Sequence, residues 1–311
     1  MIETVTSVAL PVSEHLQIKK QRIVSANKDL SKQKRISIVT GTHGDELEGQ
    51  FVCYELARRI KENIDCLNGI VDIYPALNPL GVDSISRGIP AFDLDMNRIF
   101  PGNKDGSMAE YVASKIVEDI QGSEICIDIH ASNIFLTEIP QIRINEITKD
   151  TLVPYAKLLN MDFIWVHSNA TVLESTLAYS LNAVGTKTLV VEMGVGMRIT
   201  KEYGCQLTDG IFSLMKELGI WSGEVKEPRT PIISENPDDV EFINATASGI
   251  FVPEIKHWNT VKKGDPIGML VDPLYGMVVD PIVAPCDGRV FTIREYPVVD
   301  EGSLIARILK V

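Results

Sequence analysis

The chain has 311 residues, 45% of them apolar, enough for one large hydrophobic core and a smaller second one. Asp and Glu number 42 against 30 Lys and Arg. The resulting formal charge of −12 repels phosphate backbones and anionic lipid, so neither nucleic acid nor a membrane surface is an expected partner.

The N-terminus carries Glu3 where a secretory leader needs positive charge, and no apolar run approaches the length of a membrane span, so the expected location is cytoplasmic. "RISIVTG" (35–41) has the pattern of a buried strand, and the apolar spacing from Leu47 through Phe51, Val52, Leu56 and Ile60 then turns helical. Residues 69–77 read as a strand, 108–121 as a helix, 124–130 and 186–194 as strands, and 208–219 as a helix. Cys53, Cys66, Cys126, Cys205 and Cys286 are odd in number and contain no Cys-x-x-Cys pair, which argues against a disulfide framework and a thiolate zinc knuckle. Strands interleaved with helices predict an α/β fold, with a mixed, mostly parallel sheet flanked by helices. Residues 226–239 are rich in proline and acid and read as a linker, after which short strands broken by Gly and Pro predict a small all-β domain. The expected division is therefore 1–228 and 229–311.

Open α/β sheets place their chemistry at the carboxyl ends of the strands. Strand 35–41 runs into Thr42-His43-Gly44-Asp45-Glu46, strand 124–130 ends on His130, and strand 186–192 ends on Glu192. Two imidazoles and a carboxylate form a donor set suited to Zn²⁺, which in catalytic sites takes three protein ligands and keeps a fourth position for water. His43, Glu46 and His130 are that set, although His-x-x-Glu alone is a weak pattern. Asp45 and Glu48 are read as first-turn acids complementing a helix dipole.

The stretches "GTHGDE" (41–46), "NP" (78–79), "SRGIPAFDLDMNRIFPG" (86–102), "DIHAS" (128–132) and "VVEMG" (190–194) occur in that order. Together they resemble the succinylglutamate desuccinylase/aspartoacylase family of zinc deacylases, relatives of the zinc carboxypeptidases. The tail resembles the β domain that many bacterial members append, itself similar to biotinyl and lipoyl barrels, but residues 271–288 contain no lysine to carry such a cofactor. The resemblance implies a zinc carboxypeptidase-like fold with one Zn²⁺ per chain on His43, Glu46 and His130. It implies Glu192 as general acid/base, Arg87 as the group polarising the scissile carbonyl, and Asn97 with Arg98 as the holder of a substrate carboxylate. Arg87 stands ten residues before Asn97, farther than in aspartoacylase, and an extra "GIP" between them accounts for the difference.

The residue types suit that chemistry on their own terms, because a zinc-activated water attacks an amide at neutral pH and a glutamate can move the proton to the departing amine. Asp128 lies two residues before His130 on the same strand face, where it can orient the imidazole or make a plain loop hydrogen bond. Asp93 and Asp95, in a Gly/Pro-flanked loop, are expected to bind backbone amides or arginines. The segment "EIPQIRIN" is read as an exposed wall of the site, whose Arg143 either reaches the substrate or forms a surface salt bridge. His15, His167 and His257 are assigned to surface or packing.

The expected activity is hydrolysis of the amide of a small N-acyl amino acid. A metallocarboxypeptidase acting on short peptides is the nearest alternative, and a metal-binding protein without catalysis the other. The β domain is expected to frame the mouth of the site or to pack against another subunit of a homo-oligomer.

Overall fold

The computed structural model describes residues 1–25, 33–90, 92, 94–167 and 174–310. In chain order these form β1 (Ile2–Ala9), β2 (His15–Val24), β3 (Arg35–Thr40), α1 (Glu48–Glu62), β4 (Ile70–Tyr74), α2 (Pro79–Ser84), α3 (Met108–Ile120), β5 (Ile125–His130), β6 (Leu136–Asn145), α4 (Lys149–Ala156), β7 (Phe163–His167), α5 (Leu177–Ala183), β8 (Thr188–Gly194) and α6 (Lys201–Glu217). The remainder is all β: β9 (Ile232–Ser234), β10 (Val240–Asn244), β11 (Gly249–Pro253), β12 (Thr260–Val261), β13 (Pro266–Asp272), β14 (Met277–Val283), β15 (Gly288–Arg294), β16 (Val298–Val299) and β17 (Leu304–Leu309).

The centre of the large sheet is the parallel set β4-β3-β5-β8, with β2 and then β1 added antiparallel at one edge. Parallel strands buried on both faces need apolar side chains throughout, which is why Ile36, Ile38 and Val39 of β3 are all fully buried. One face packs on α1 and α6 through Val52, Leu56, Ile60, Leu207 and Ile211; the other packs on α3 and α5 through Val112, Ile116, Leu177 and Leu181. The start of α3 is held by a capping box between Ser107 and Glu110.

Strand β6 is a seam. Along one edge it pairs antiparallel with β8; on the other its C-terminal half pairs with β7 and its N-terminal half with β15. Through β15 the sheet continues into β17 and β10, so strands from the last quarter of the chain are hydrogen-bonded into the sheet that carries the helices. A second, four-stranded antiparallel sheet, β14-β13-β11-β16, packs over them around Phe251, Ile267, Leu270 and Ile305.

Two elements differ from expectation. Residues 138–145 are not an exposed wall but part of β6, where Glu138 and Gln141 are buried, because the polar side chains of the alternating pattern face an internal site instead of solvent. Helix α6 begins at Lys201, seven residues before the expected start; its first turn contains Gly204, a weak helix former that breaks the sequence signal, and Phe51 of α1 packs there so closely that a Cβ would stand 2.5 Å from its ring. Among the described residues no helix is long and apolar enough to cross a membrane.

At the end of β8, Gly194 has φ +70°, and a Cβ on it would lie 2.0 Å from Glu48 Oε1. Glu48 in turn accepts the amide of Thr200 at 2.7 Å, tying the first turn of α1 to the start of α6. Gly194→Ala is expected to destabilise the fold by roughly 1–3 kcal/mol, the cost of a strained left-handed residue plus the displaced carboxylate. The midpoint of urea unfolding reads this directly, and an unchanged midpoint would refute it.

Candidate active site

The loop after β3 and the ends of β5 and β8 open into a cavity of about 710 Å³, lined among others by His43, Glu46, Arg87, Asn97, Arg98, Asp128, His130, Arg143 and Glu192. Parallel register brings the strand ends together: His130 pairs with Glu192, and Asp128 with Val190. Gly44 makes the turn at His43 possible, since a Cβ there would fall 1.9 Å from the backbone of Gly81.

Glu46 sits between the two imidazoles. Its Oε1 is 2.7 Å from His43 Nδ1 and its Oε2 3.0 Å from His130 Nδ1, and it also accepts the Ala131 amide at 3.1 Å and Arg87 Nη1 at 3.0 Å. The far nitrogens face acids too. His43 Nε2 is 3.0 Å from Asp95 Oδ1, and His130 Nε2 is 3.2 Å from Asp128 Oδ2, an ion-pair distance off the hydrogen-bonding direction. A neutral imidazole has one N–H, so it cannot donate to a carboxylate from both nitrogens. The arrangement therefore calls for extra positive charge at the Nδ1 side, which two additional protons or one bound cation can supply.

The ionisation of the cluster reports the same demand. Burial pushes the His43 imidazole down, but bonds to Asp95 and Glu46 outweigh it and the net shift is upward. His130 behaves likewise, with Asp128 and Glu46 overcoming burial to raise it well above its ordinary value. Burial opposes ionisation of Glu46, yet His130 and His43 hold it well below the usual carboxylate range. Glu192 goes the other way: burial pushes its carboxyl up to about 7, against the pull of Arg143.

A metal fits this donor set. One ring nitrogen each from His43 and His130 and a Glu46 oxygen lie within 4.8 Å of one another, all three residues are buried, and the ring nitrogens that face away from Glu46 have the acidic partners that metal-bound histidines ordinarily require.

Around the cluster, Arg87 is 40% exposed and contacts Glu46 and, at 3.4 Å, Asp95. Asn97 Oδ1 accepts the Leu177 amide at 2.9 Å, which leaves its amide nitrogen to donate; Arg98 is exposed and donates to the Asn97 carbonyl at 2.8 Å. Arg143 reaches the cavity but is heavily engaged, donating to both Glu138 oxygens at 2.8 Å with its other terminal nitrogen 3.3 Å from Glu192 Oε1.

Asp93 lies outside the described residues. Asp95 binds the Asn97 amide and Arg87, as expected, and in addition holds His43, a role its loop position did not announce. Of the histidines assigned to surface or packing, His167 lines the cavity beside Trp165, whereas His257 hydrogen-bonds Tyr203 and His15 is exposed. Glu138 and Arg307 line the cavity and were not singled out; no local motif marks Arg307, which arrives only through strand pairing.

Comparison with known proteins bears on this geometry. Residues 32–218 match the succinylglutamate desuccinylase/aspartoacylase catalytic domain. The N-alpha-acetyl-L-2,4-diaminobutyric acid deacetylase of Halomonas elongata is 28% identical over 294 residues, covering 87% of this chain and 80% of its own. Two solved structures share the fold. The ectoine utilization protein EutE (DoeB) of Ruegeria pomeroyi, in a product-bound structure, has a TM-score of 0.81 at 20% identity over 98% of this chain and 93% of its own. A succinylglutamate desuccinylase/aspartoacylase from Rhodobacter sphaeroides has 0.79 at 20% identity over 99% and 95%.

Proposed function

The chain belongs to the succinylglutamate desuccinylase/aspartoacylase family, and from that premise we propose that it is a zinc-dependent hydrolase that removes the acyl group from a small N-acyl amino acid. The observation that carries this is the convergence of His43 Nδ1 and His130 Nδ1 on Glu46, with acids behind both rings and Glu192 in register beside His130. The deacetylase named above supports the reaction class, since the substrate in its name is an N-acetylated amino acid.

His43, Glu46 and His130 would hold the ion, oriented by Asp95 and Asp128. When bound, zinc supplies a water with a pKa near ~7 and polarises the scissile carbonyl. Glu192 is the base that would take a proton from the attacking water as the water oxygen adds to the amide carbon. As the C–N bond breaks, Glu192 returns the proton to the amine nitrogen, so acid and amine leave with atoms balanced. Arg87 shares the negative charge that develops on the carbonyl oxygen. Arg98 offers a planar fork to a substrate carboxylate, and Asn97, whose oxygen is already committed to Leu177, donates beside it. Arg143 stands next to Glu192 and is the further candidate for contact with substrate.

Metal analysis of the purified protein, followed by a panel of N-acetyl and N-succinyl amino acids alongside dipeptides, tests the reading. About one zinc per chain and turnover of at least one N-acyl amino acid are expected. Turnover confined to dipeptides would make the protein a carboxypeptidase, and no stoichiometric metal with no turnover would leave a binding protein without catalysis.

A further inference from the structure

We propose that the carboxyl-terminal β strands take part in the reaction: Arg307 is a positioning residue that acts through Glu138 and Arg143 on Glu192. The inference rests on the assignment of Glu192 as the group that moves the proton.

Sheet register builds the connection. Gly194 of β8 pairs with Glu138 of β6, Glu138 with Thr292 of β15, Thr292 with Arg307 of β17, and Arg307 with Phe242 of β10. Residues directly opposite one another in antiparallel strands project to the same face, so this row delivers Arg307 to Glu138. Arg307 Nη1 lies 2.6 Å from Glu138 Oε1, and Thr292 Oγ1 is 3.4 Å from the same oxygen. Glu138 is 1% exposed and is gripped from the other side by Arg143, whose remaining terminal nitrogen meets Glu192.

Neither guanidinium is anchored at its stem. The Nε of Arg143 and the Nε of Arg307 are both buried without a hydrogen-bond partner. Each guanidinium carbon instead lies 5.7 Å from the centroid of the Trp165 ring, and Trp165 is in register with Arg143. The orientation of Arg143 toward Glu192 thus depends on where Glu138 is held, and Arg307 shares that carboxylate. If Arg307 is removed, Glu138 keeps Arg143 as its sole guanidinium partner and draws it away from Glu192. This gives strands β15 and β17 a part in the chemistry beyond framing the cavity.

The test measures kcat and KM on an N-acyl amino acid that the wild type turns over, with metal content and far-UV circular dichroism as controls. Arg307→Met is expected to lower kcat by about tenfold to a hundredfold, the effect of misplacing a reacting group by ~1 Å, with KM little changed. Arg307→Lys retains a charge but not the fork, and its kcat should lie between the two; it serves as the informative variant if the methionine form does not fold. Arg143→Met combined with Arg307→Met should be no slower than Arg143→Met alone, because both act on one group. Thr137→Val, which breaks the 3.1 Å bond to Glu295 on the same seam, should leave kcat unchanged.

Wild-type kcat in both Arg307 variants, independent multiplication of the Arg143 and Arg307 effects, or an equal loss in Thr137→Val would each overturn the relay. If Glu192→Gln is inactive while the Arg307 variants are wild-type, the relay alone falls. Full activity in Glu192→Gln would overturn the assignment of Glu192 itself, and the relay with it.

Discussion

Replacing Glu192 by Gln is expected to lower kcat by roughly 10²–10⁴ while leaving bound metal and KM nearly unchanged. The substitution keeps the side chain's size, and the Arg143 contact loses only its charge, so a loss confined to kcat isolates proton transfer. Burial pushes the Glu192 carboxyl up to about 7, and Glu138 adds to that shift while Arg143 opposes it. A group that takes a proton must be ionised, so kcat/KM falls as pH drops through the Glu192 pKa. A cation between His43 and His130 stabilises the ionised form, placing that acidic limb at or below about 7 in the metal-loaded enzyme. The limb should vanish from the residual activity of the Gln variant. Wild-type kcat in that variant, or an unchanged acidic limb, would remove Glu192 from the mechanism.

Glu46→Gln is the second large effect. The carboxylate accepts from the Ala131 amide and Arg87 and faces a ring nitrogen of each histidine, and no neutral amide can serve that set, because its NH₂ half would face donors and it offers no anionic oxygen to a cation. Stoichiometric metal should be absent from the purified variant by mass spectrometry, and amide turnover should fall to background. Stability separates this from simple misfolding. A metal present at about 1,000 times its Kd adds ~4 kcal/mol to the folded state, so a chelator should lower the wild-type Tm by several degrees. The variant should show no chelator response. A chelator-sensitive Glu46→Gln carrying one metal per chain would refute the ligand assignment.

How legible the protein was depended on whether an interaction is local in sequence. Strands β3, β4, β5 and β8 and helices α1, α3 and α6 follow from apolar spacing, and the parallel centre follows from them in turn, whereas β6, α4, β7 and α5 lie between residues 131 and 185, where the spacing assigns no element. His43, Glu46, His130 and Glu192 could be named because each closes a strand, and strand ends of an open α/β sheet face one crevice. Asp95 was visible only as a loop acid; its contact with His43 spans 52 positions, and nothing in "FDLDMNR" indicates which acid turns inward. The segment "EIPQIRIN" does wall the cavity but is buried instead of exposed, since a polar face buried against another polar site looks like a solvent face in one dimension. Arg307 lay wholly out of reach: its partner Glu138 is 169 residues away, and only the β6–β15–β17 register joins them.

The bond from Glu48 to Thr200 has a counterpart one turn away, where the Met197 amide donates to the Asp45 carbonyl. These two links clamp the segment bearing Glu46 to the segment that follows Glu192, so thermal fluctuations of the two segments are correlated instead of independent. The separation between Glu46 and Glu192 is then insulated from breathing of the cavity walls. In amide hydrogen exchange, Met197 and Thr200 should open together as one cooperative unit with the backbone around Glu46, at a free energy closer to global unfolding than to loop fraying.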